Sequence, residues 1–204
     1  MSDRKPPVLA RGDTLLIATH NAGKMQEFAA LLADAGITVV SAASHDLPEP
    51  EETADTFAGN AEIKARAAAE ATGLPALADD SGFCVGALEG RPGVYSARWG
   101  GPTRDFDAAM ARVHTEMGET SNRTAWFEAD LCLAWPDGTV RHFTGRCDGT
   151  VCWPPRGAHG HGYDPIFVPD GESRSFAEMT GPEKNAISHR GRALAAFRAA
   201  CLGD

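Results

Sequence analysis

The chain has 204 residues and a formal charge of −9, from 19 Lys and Arg against 28 Asp and Glu. That length can bury a sizeable core, and 43% hydrophobic with 23% charged residues is a globular composition that excludes a disordered or fibrous chain. No apolar run reaches the ~18–20 residues of a membrane span, Met1–Asp13 lacks the apolar core of a secretory signal, and the acidic balance argues against nucleic acid as a partner.

Thr14–Thr19 is a short apolar run with the pattern of a buried strand. His20-Asn21-Ala22-Gly23 breaks it, and from Lys24 onward Phe28, Leu31, Leu32 and Ala35 recur at helical spacing until Gly36. Thr38–Val40 reads as a second strand, so the opening predicts a right-handed βαβ unit. His45–Asp55 is an acidic loop with two prolines, and Thr56 caps a helix predicted over Phe57–Ala71. Two strands follow, Pro75–Asp80 and Phe83–Leu88, on either side of a turn at Ser81-Gly82. A glycine- and proline-rich loop, Glu89–Pro102, leads to a helix over Asp105–Met117. Arg123–Trp135 and Thr139–Cys147 read as antiparallel strands joined at Pro136-Asp137-Gly138, with Thr150–Trp153 a further short strand. A second glycine-rich loop, Pro154–Gly162, precedes a strand at Ile166–Val168. The tail is helical, opened by a capping box at Thr180 and Glu183, with Leu194, Phe197 and Leu202 on its inner face. This alternation predicts an α/β fold on a mixed sheet.

Each segment that can carry chemistry has two readings. Asn21-Ala22-Gly23-Lys24 lies between a strand and a helix start, where unpaired amides and the helix dipole welcome an anion and Lys24 adds a full charge. It is not a Walker A loop, and its plainer reading is a turn with a solvated lysine. Asp79-Asp80-Ser81-Gly82 sets two carboxylates at a strand end, suited to Mg2+ or to deprotonating a water; alternation aims at most one of them straight at a site. An Asp-rich turn explains the same residues. Glu49, Glu51 and Glu52 form a second acidic cluster, by default a charged loop. Gly160-His161-Gly162-Tyr163-Asp164 lets backbone pass close to a ligand; a metal on His159 and His161 lacks a third imidazole. Lys184, His189 and Arg190 are either a solvated helix face or a donor cluster for a phosphate or a base carbonyl. The five cysteines contain no C-x-x-C pair and read as small, reduced, buried side chains of a cytoplasmic chain.

Taken together, six ordered blocks resemble the inosine triphosphate pyrophosphatase family. They are Ala18–Lys24 with Glu27, Ala78–Gly82, Pro92–Arg98, Gly162–Phe167, Phe176–Met179 and Glu183–Arg190, within a span from about Thr14 to Leu202. The resemblance implies an elongated central mixed sheet with flanking helices and two lobes around a substrate cleft, formed by one domain over 14–204 behind an N-terminal tail at 1–13. It implies a homodimer and Mg2+-dependent hydrolysis of ITP, dITP and XTP to the monophosphate and pyrophosphate. Thr19, His20, Asn21, Ala22, Gly23 and Lys24 would take the triphosphate, with Lys64 reaching the same anion. Asp80 matches the catalytic aspartate, which also contacts the metal; Glu51 matches a metal-side glutamate, and Ser81 lies against the substrate. His161, Gly162, Tyr163 and Asp164, with Lys184, His189 and Arg190, would hold the purine. Two positions depart from the family pattern. His161 stands where phenylalanine is common, and His20 where a small residue is common; the latter either reaches the phosphates or points to solvent.

Overall fold

The computed structural model describes residues 7–202. Its regular elements are β1 (Thr14–Ile17), α1 (Ala22–Leu32), β2 (Thr38–Ser41), α2 (Phe57–Thr72), β3 (Ala76–Val85), α3 (Phe106–Met117), β4 (Thr124–Ala134), β5 (Val140–Val151), β6 (Phe167–Pro169), α4 (Gly181–Ile187) and α5 (His189–Cys201). The strands form one sheet in the order β2-β1-β3-β4-β5-β6. β1 runs parallel to both its neighbours, with Leu15 opposite Val39 and Leu16 opposite Ala76, and β6 runs antiparallel to β5. Between β4 and β5 the Trp135 N–H donates to the Thr139 carbonyl at 2.9 Å, a hairpin too short for anything but antiparallel neighbours. The sheet is mixed, as the alternation predicts.

Three local expectations are corrected. Ser81-Gly82 makes no turn: β3 runs unbroken from Ala76 to Val85, and every residue in it but Ser81 is buried. Burial of the whole segment overrides the turn preference of Ser-Gly. β5 likewise absorbs the short strand expected at 150–153 by continuing through Gly149 to Val151. A side chain at Gly149 would strike the Val168 carbonyl and the Phe167 ring, so glycine is what lets β6 pair there. The C-terminal helix is two helices, because Ser188 is extended (φ −70°, ψ 159°) and ends α4 before α5 restarts. The capping box at the start of α4 is formed: the Thr180 N–H donates to Glu183 Oε2 at 2.8 Å.

By contacts the chain forms two compact units. The first comprises Met1–Asp79, Asp130–Phe143 and Leu194–Asp204, and the second Asp80–Ala129 and Thr144–Ala193. In the first, the alanines of α2 (Ala61, Ala65, Ala68 and Ala69) pack with Leu16, Ala76 and Cys132; small side chains let a helix lie close on a sheet. Leu9 is also buried there, its N–H donating to the Cys201 carbonyl at 2.7 Å. The described part of the predicted tail thus packs at the end of α5, while residues 1–6 and 203–204 lie outside the described residues. The second unit is built on aromatic rings: Phe127 meets Phe83 and Phe167, each at 5.0 Å between centroids, and Phe167 meets Phe176 at 4.9 Å. Such tilted and edge-on pairs add about 0.5–1.5 kcal/mol each beyond the area they bury.

The cysteines are unbridged, and all but Cys152 are buried. Burial pushes the Cys84 and Cys132 thiols up to about 12 and that of Cys147 to about 11, so they stay protonated and unreactive at neutral pH. No helix among the described residues is long and apolar enough to cross a membrane.

Candidate functional site

The candidate residues fall into two groups, one in each unit. In the first, the chain leaves β1 through Ala18 and Thr19 and enters α1 with Asn21 as N-cap, its side chain accepting from the Lys24 N–H at 3.0 Å. Thr19 Oγ1 braces the same turn by accepting from the Asn21 N–H at 3.1 Å. A cap of this kind is worth ~1 kcal/mol and fixes the direction of the helix start, whose first amides have no intrahelical acceptor. Gly23 sits in this first turn, where an added Cβ would lie 3.2 Å from Asn21 Oδ1. Ala22 is the first helical residue.

Two lysines converge beside this turn. Lys24 Nζ lies 2.6 Å from Asp79 Oδ2 on β3. Lys64, 8% exposed on α2, donates to the Asp79 main-chain carbonyl at 2.9 Å and to Glu52 Oε1 at 2.8 Å. The Thr56 cap, accepting from the Gly59 N–H at 3.1 Å, and the buried Asn60, which accepts from the Ala54 N–H at 3.0 Å, tie the acidic segment to the start of α2. Glu52 is therefore the acid turned to the lysine, and Glu51, the one the resemblance singles out, is exposed. Residue type alone does not separate two adjacent glutamates; the separating fact is that Glu52 accepts from Lys64.

His20 is exposed at the end of β1. Its Nε2–H donates to the Leu47 carbonyl at 2.7 Å, fastening the start of the acidic segment to the end of β1. A pocket of about 110 Å3 lies alongside, lined by Ala18, His20, Leu47, Glu49, Lys64 and Ala68 among others.

In the second unit, Asp80 (8% exposed) continues β3 and Ser81 follows it, half-buried. Because the strand is unbroken, side-chain alternation gives the two aspartates different directions. The Arg190 guanidinium, buried at the start of α5, donates to Ser81 Oγ at 3.2 Å. Its neighbour His189 is buried and stacks on Phe127 at 4.9 Å and 13°. The break at Ser188 is what starts α5 at these two residues.

The loop before β6 is organised by Asp164, which is 2% exposed. One oxygen, Oδ2, accepts from the His161 N–H at 2.9 Å and from Lys184 Nζ at 2.6 Å. A side chain at Gly160 would collide with that same carboxylate, and its φ of +74° is a left-handed value that suits glycine. Lys184 also lies 5.4 Å from the centre of the Phe176 ring, within cation–π range. Gly162 is left-handed too, at φ +69°, while the His161 residue is exposed. Tyr163 is part of the core: its ring stacks on Phe83 at 5.0 Å and its hydroxyl donates to the Ser96 carbonyl at 2.8 Å. Burial pushes its phenol well above the ordinary value. Ser96 in turn accepts from the Phe83 N–H at 2.8 Å, so the Pro92–Arg98 block and Tyr163 clamp β3 three residues beyond Asp80. Sequence reading gave that block no role.

Of the predicted residues, then, Lys24 and Lys64 meet at Asp79; Ser81 meets Arg190; His161, Asp164 and Lys184 share one carboxylate. Glu51 joins none of these contacts. Among the described residues no three His, Cys, Asp or Glu side chains are gathered as a metal cage.

A model of the Ham1 family matches residues 15–200. A dITP/XTP pyrophosphatase of Gluconobacter oxydans (strain 621H) is 68% identical over 194 residues, 95% of this chain and 93% of the relative. A dITP/XTP pyrophosphatase of Ruegeria pomeroyi (strain ATCC 700808 / DSM 15171 / DSS-3) is 57% identical, covering 94% of this chain and 97% of the relative. Among solved structures, a HAM1 protein from Coxiella burnetii aligns with a TM-score of 0.86 at 39% identity, over 92% of this chain and 97% of that one. The Staphylococcus aureus Ham1 protein aligns at 0.84 and 34% identity, again over 92% and 97%.

Proposed function

The chain belongs to the Ham1 family, and from that premise we infer that it hydrolyses the non-standard purine nucleoside triphosphates ITP, dITP and XTP to the monophosphate and pyrophosphate. The observation that carries this reading is the 68% identity, along 95% of the chain, to a dITP/XTP pyrophosphatase. The capped turn of α1 with Lys24, and Lys64 beside it, supply the cationic donors that a triphosphate needs. Asp80 is the general base, taking the proton of the water that cleaves the α–β anhydride.

Mg2+ is a hard cation that takes oxygen ligands and is held by one or two carboxylates plus substrate phosphates. By the family resemblance, Asp80 and Glu51 would hold it. When bound, the cation supplies charge neutralisation to the triphosphate. Lys184 and Arg190, with the backbone of His161–Asp164, present hydrogen-bond donors to the purine; Ser81 accepts from Arg190, and His189 precedes Arg190 in α5. Such donors match the 6-keto acceptor of inosine and xanthine and mismatch the 6-amino donor of adenine. The active form is a homodimer, and a reducing cytoplasm suits the unbridged cysteines.

The test is a substrate panel with Mg2+. ITP and XTP are expected to give pyrophosphate as first product, with kcat/KM for ATP lower by as much as ~10⁴-fold, the penalty of unmatched buried donors. Equal kcat/KM for ATP and ITP, or orthophosphate as first product, would overturn the reading.

A further inference from the structure

Asp79 takes no step in the chemistry above, yet two cationic side chains from two different helices end on it. Lys24 of α1 reaches its carboxylate at 2.6 Å, and Lys64 of α2 reaches its main-chain carbonyl at 2.9 Å. The exposures are unequal. The Asp79 side chain is 1% exposed and the Lys24 side chain 23%, so a buried anchor holds an ammonium group that still meets solvent.

A lysine carries ~2 kcal/mol of rotamer entropy, part of which is lost whenever an anion fixes it. An ammonium already held by a buried carboxylate has lost that freedom before a ligand arrives, which is the physical content of preorganisation. Pairing also keeps the buried carboxylate from standing as an uncompensated charge.

We propose that Asp79 is the positioning residue of the two phosphate-binding lysines: its carboxylate fixes Lys24, its carbonyl fixes Lys64, and both ammonium groups are aimed before the triphosphate binds. This rests on the reading of Lys24 and Lys64 as phosphate ligands. Asp79 acts through Lys24 and leaves the reacting atoms to Asp80. The carboxamide of Asp79→Asn keeps the main-chain contact to Lys64 and removes the charge that pairs with Lys24.

A double-mutant cycle tests it, with kcat and KM for ITP measured on the wild type, Asp79→Asn, Lys24→Met and the double variant. Asp79→Asn is expected to lower kcat by about 10- to 100-fold with KM changed less than about threefold, the pattern of a misplaced group whose binding energy persists. In the Lys24→Met background the same substitution is expected to change kcat by less than about threefold. Asp79→Glu, which keeps the charge, should recover kcat to within about tenfold of the wild type. An equal loss in both backgrounds, or a kcat within twofold of the wild type for Asp79→Asn, would overturn the proposal. If Asp79→Asn fails to fold, the cycle is run with Asp79→Ser, which also removes the charge, and the same equality of losses decides against it. A second readout needs no turnover: the 15N signal of the Lys24 ammonium should exchange slowly in the wild type and be lost in Asp79→Asn. Its absence from the wild type would overturn the anchor, whereas a wild type that releases no pyrophosphate from ITP would overturn the functional reading instead.

Discussion

At the scale of single residues, Asp80 carries the sharpest expectation. It lies on a strand with every position but Ser81 buried, so replacing its carboxylate by a carboxamide of the same shape leaves the packing intact. Asp80→Asn is expected to lower pyrophosphate release by ~10²-fold or more, the scale of a lost general base, with an unchanged melting temperature. Near-normal turnover at saturating Mg2+ would remove Asp80 from the mechanism. The residue types of the site were legible in the sequence; their partners were not. Lys24 could be read as a phosphate ligand from the helix start alone, whereas its pairing with Asp79 needs β3 and α1 in space. The resemblance sets Tyr163 among the residues that hold the purine; in space its hydroxyl meets the Ser96 carbonyl and its face lies on Phe83. A contact 67 positions apart along the chain leaves no trace in local spacing.

Among elements, the helices were read most closely, because caps announce them: Thr56 and Thr180 each begin the helix their side chains predict. The strands were read with false breaks. Ser81-Gly82 and Asp148-Gly149 carry turn chemistry, and both lie inside long strands whose pairing and burial outweigh it. The opposite error occurred at Ser188, where one predicted helix is two. The cap of α4 also has a pH signature. Glu183 is held down to about 2 from its ordinary 4.5, first by the Thr180 backbone N–H, then by the Thr180 hydroxyl and Arg174. A carboxylate whose folded pKa is depressed contributes stability above its unfolded pKa and loses it as pH falls through the folded value. The contribution of this box is therefore complete above about pH 5 and fades between 4.5 and about 2. Thermal melts of the wild type and Glu183→Gln should differ at pH 6 and converge toward pH 2.5. A gap that stays constant across that range would show that the charge of Glu183 is not what caps the helix.

For the whole molecule, the composition and the βαβ opening sufficed for the fold class, since alternating elements leave few ways to cover a mixed sheet. The assembly needs a measurement. Light scattering at micromolar concentration should give twice the 21.5 kDa chain mass, and a single-chain mass at that concentration would refute the homodimer. The two compact units raise a different matter, that of inheritance. The chain passes from one unit to the other within β3, β4 and β5 and again after Ala193, so each unit is encoded in separated stretches of the gene and three strands belong half to each. Because stretches of the first unit lie on both sides of the second along the chain, recombination at a single point always divides the first unit. A sequence laid out in this way cannot exchange its first unit for another in a single crossover.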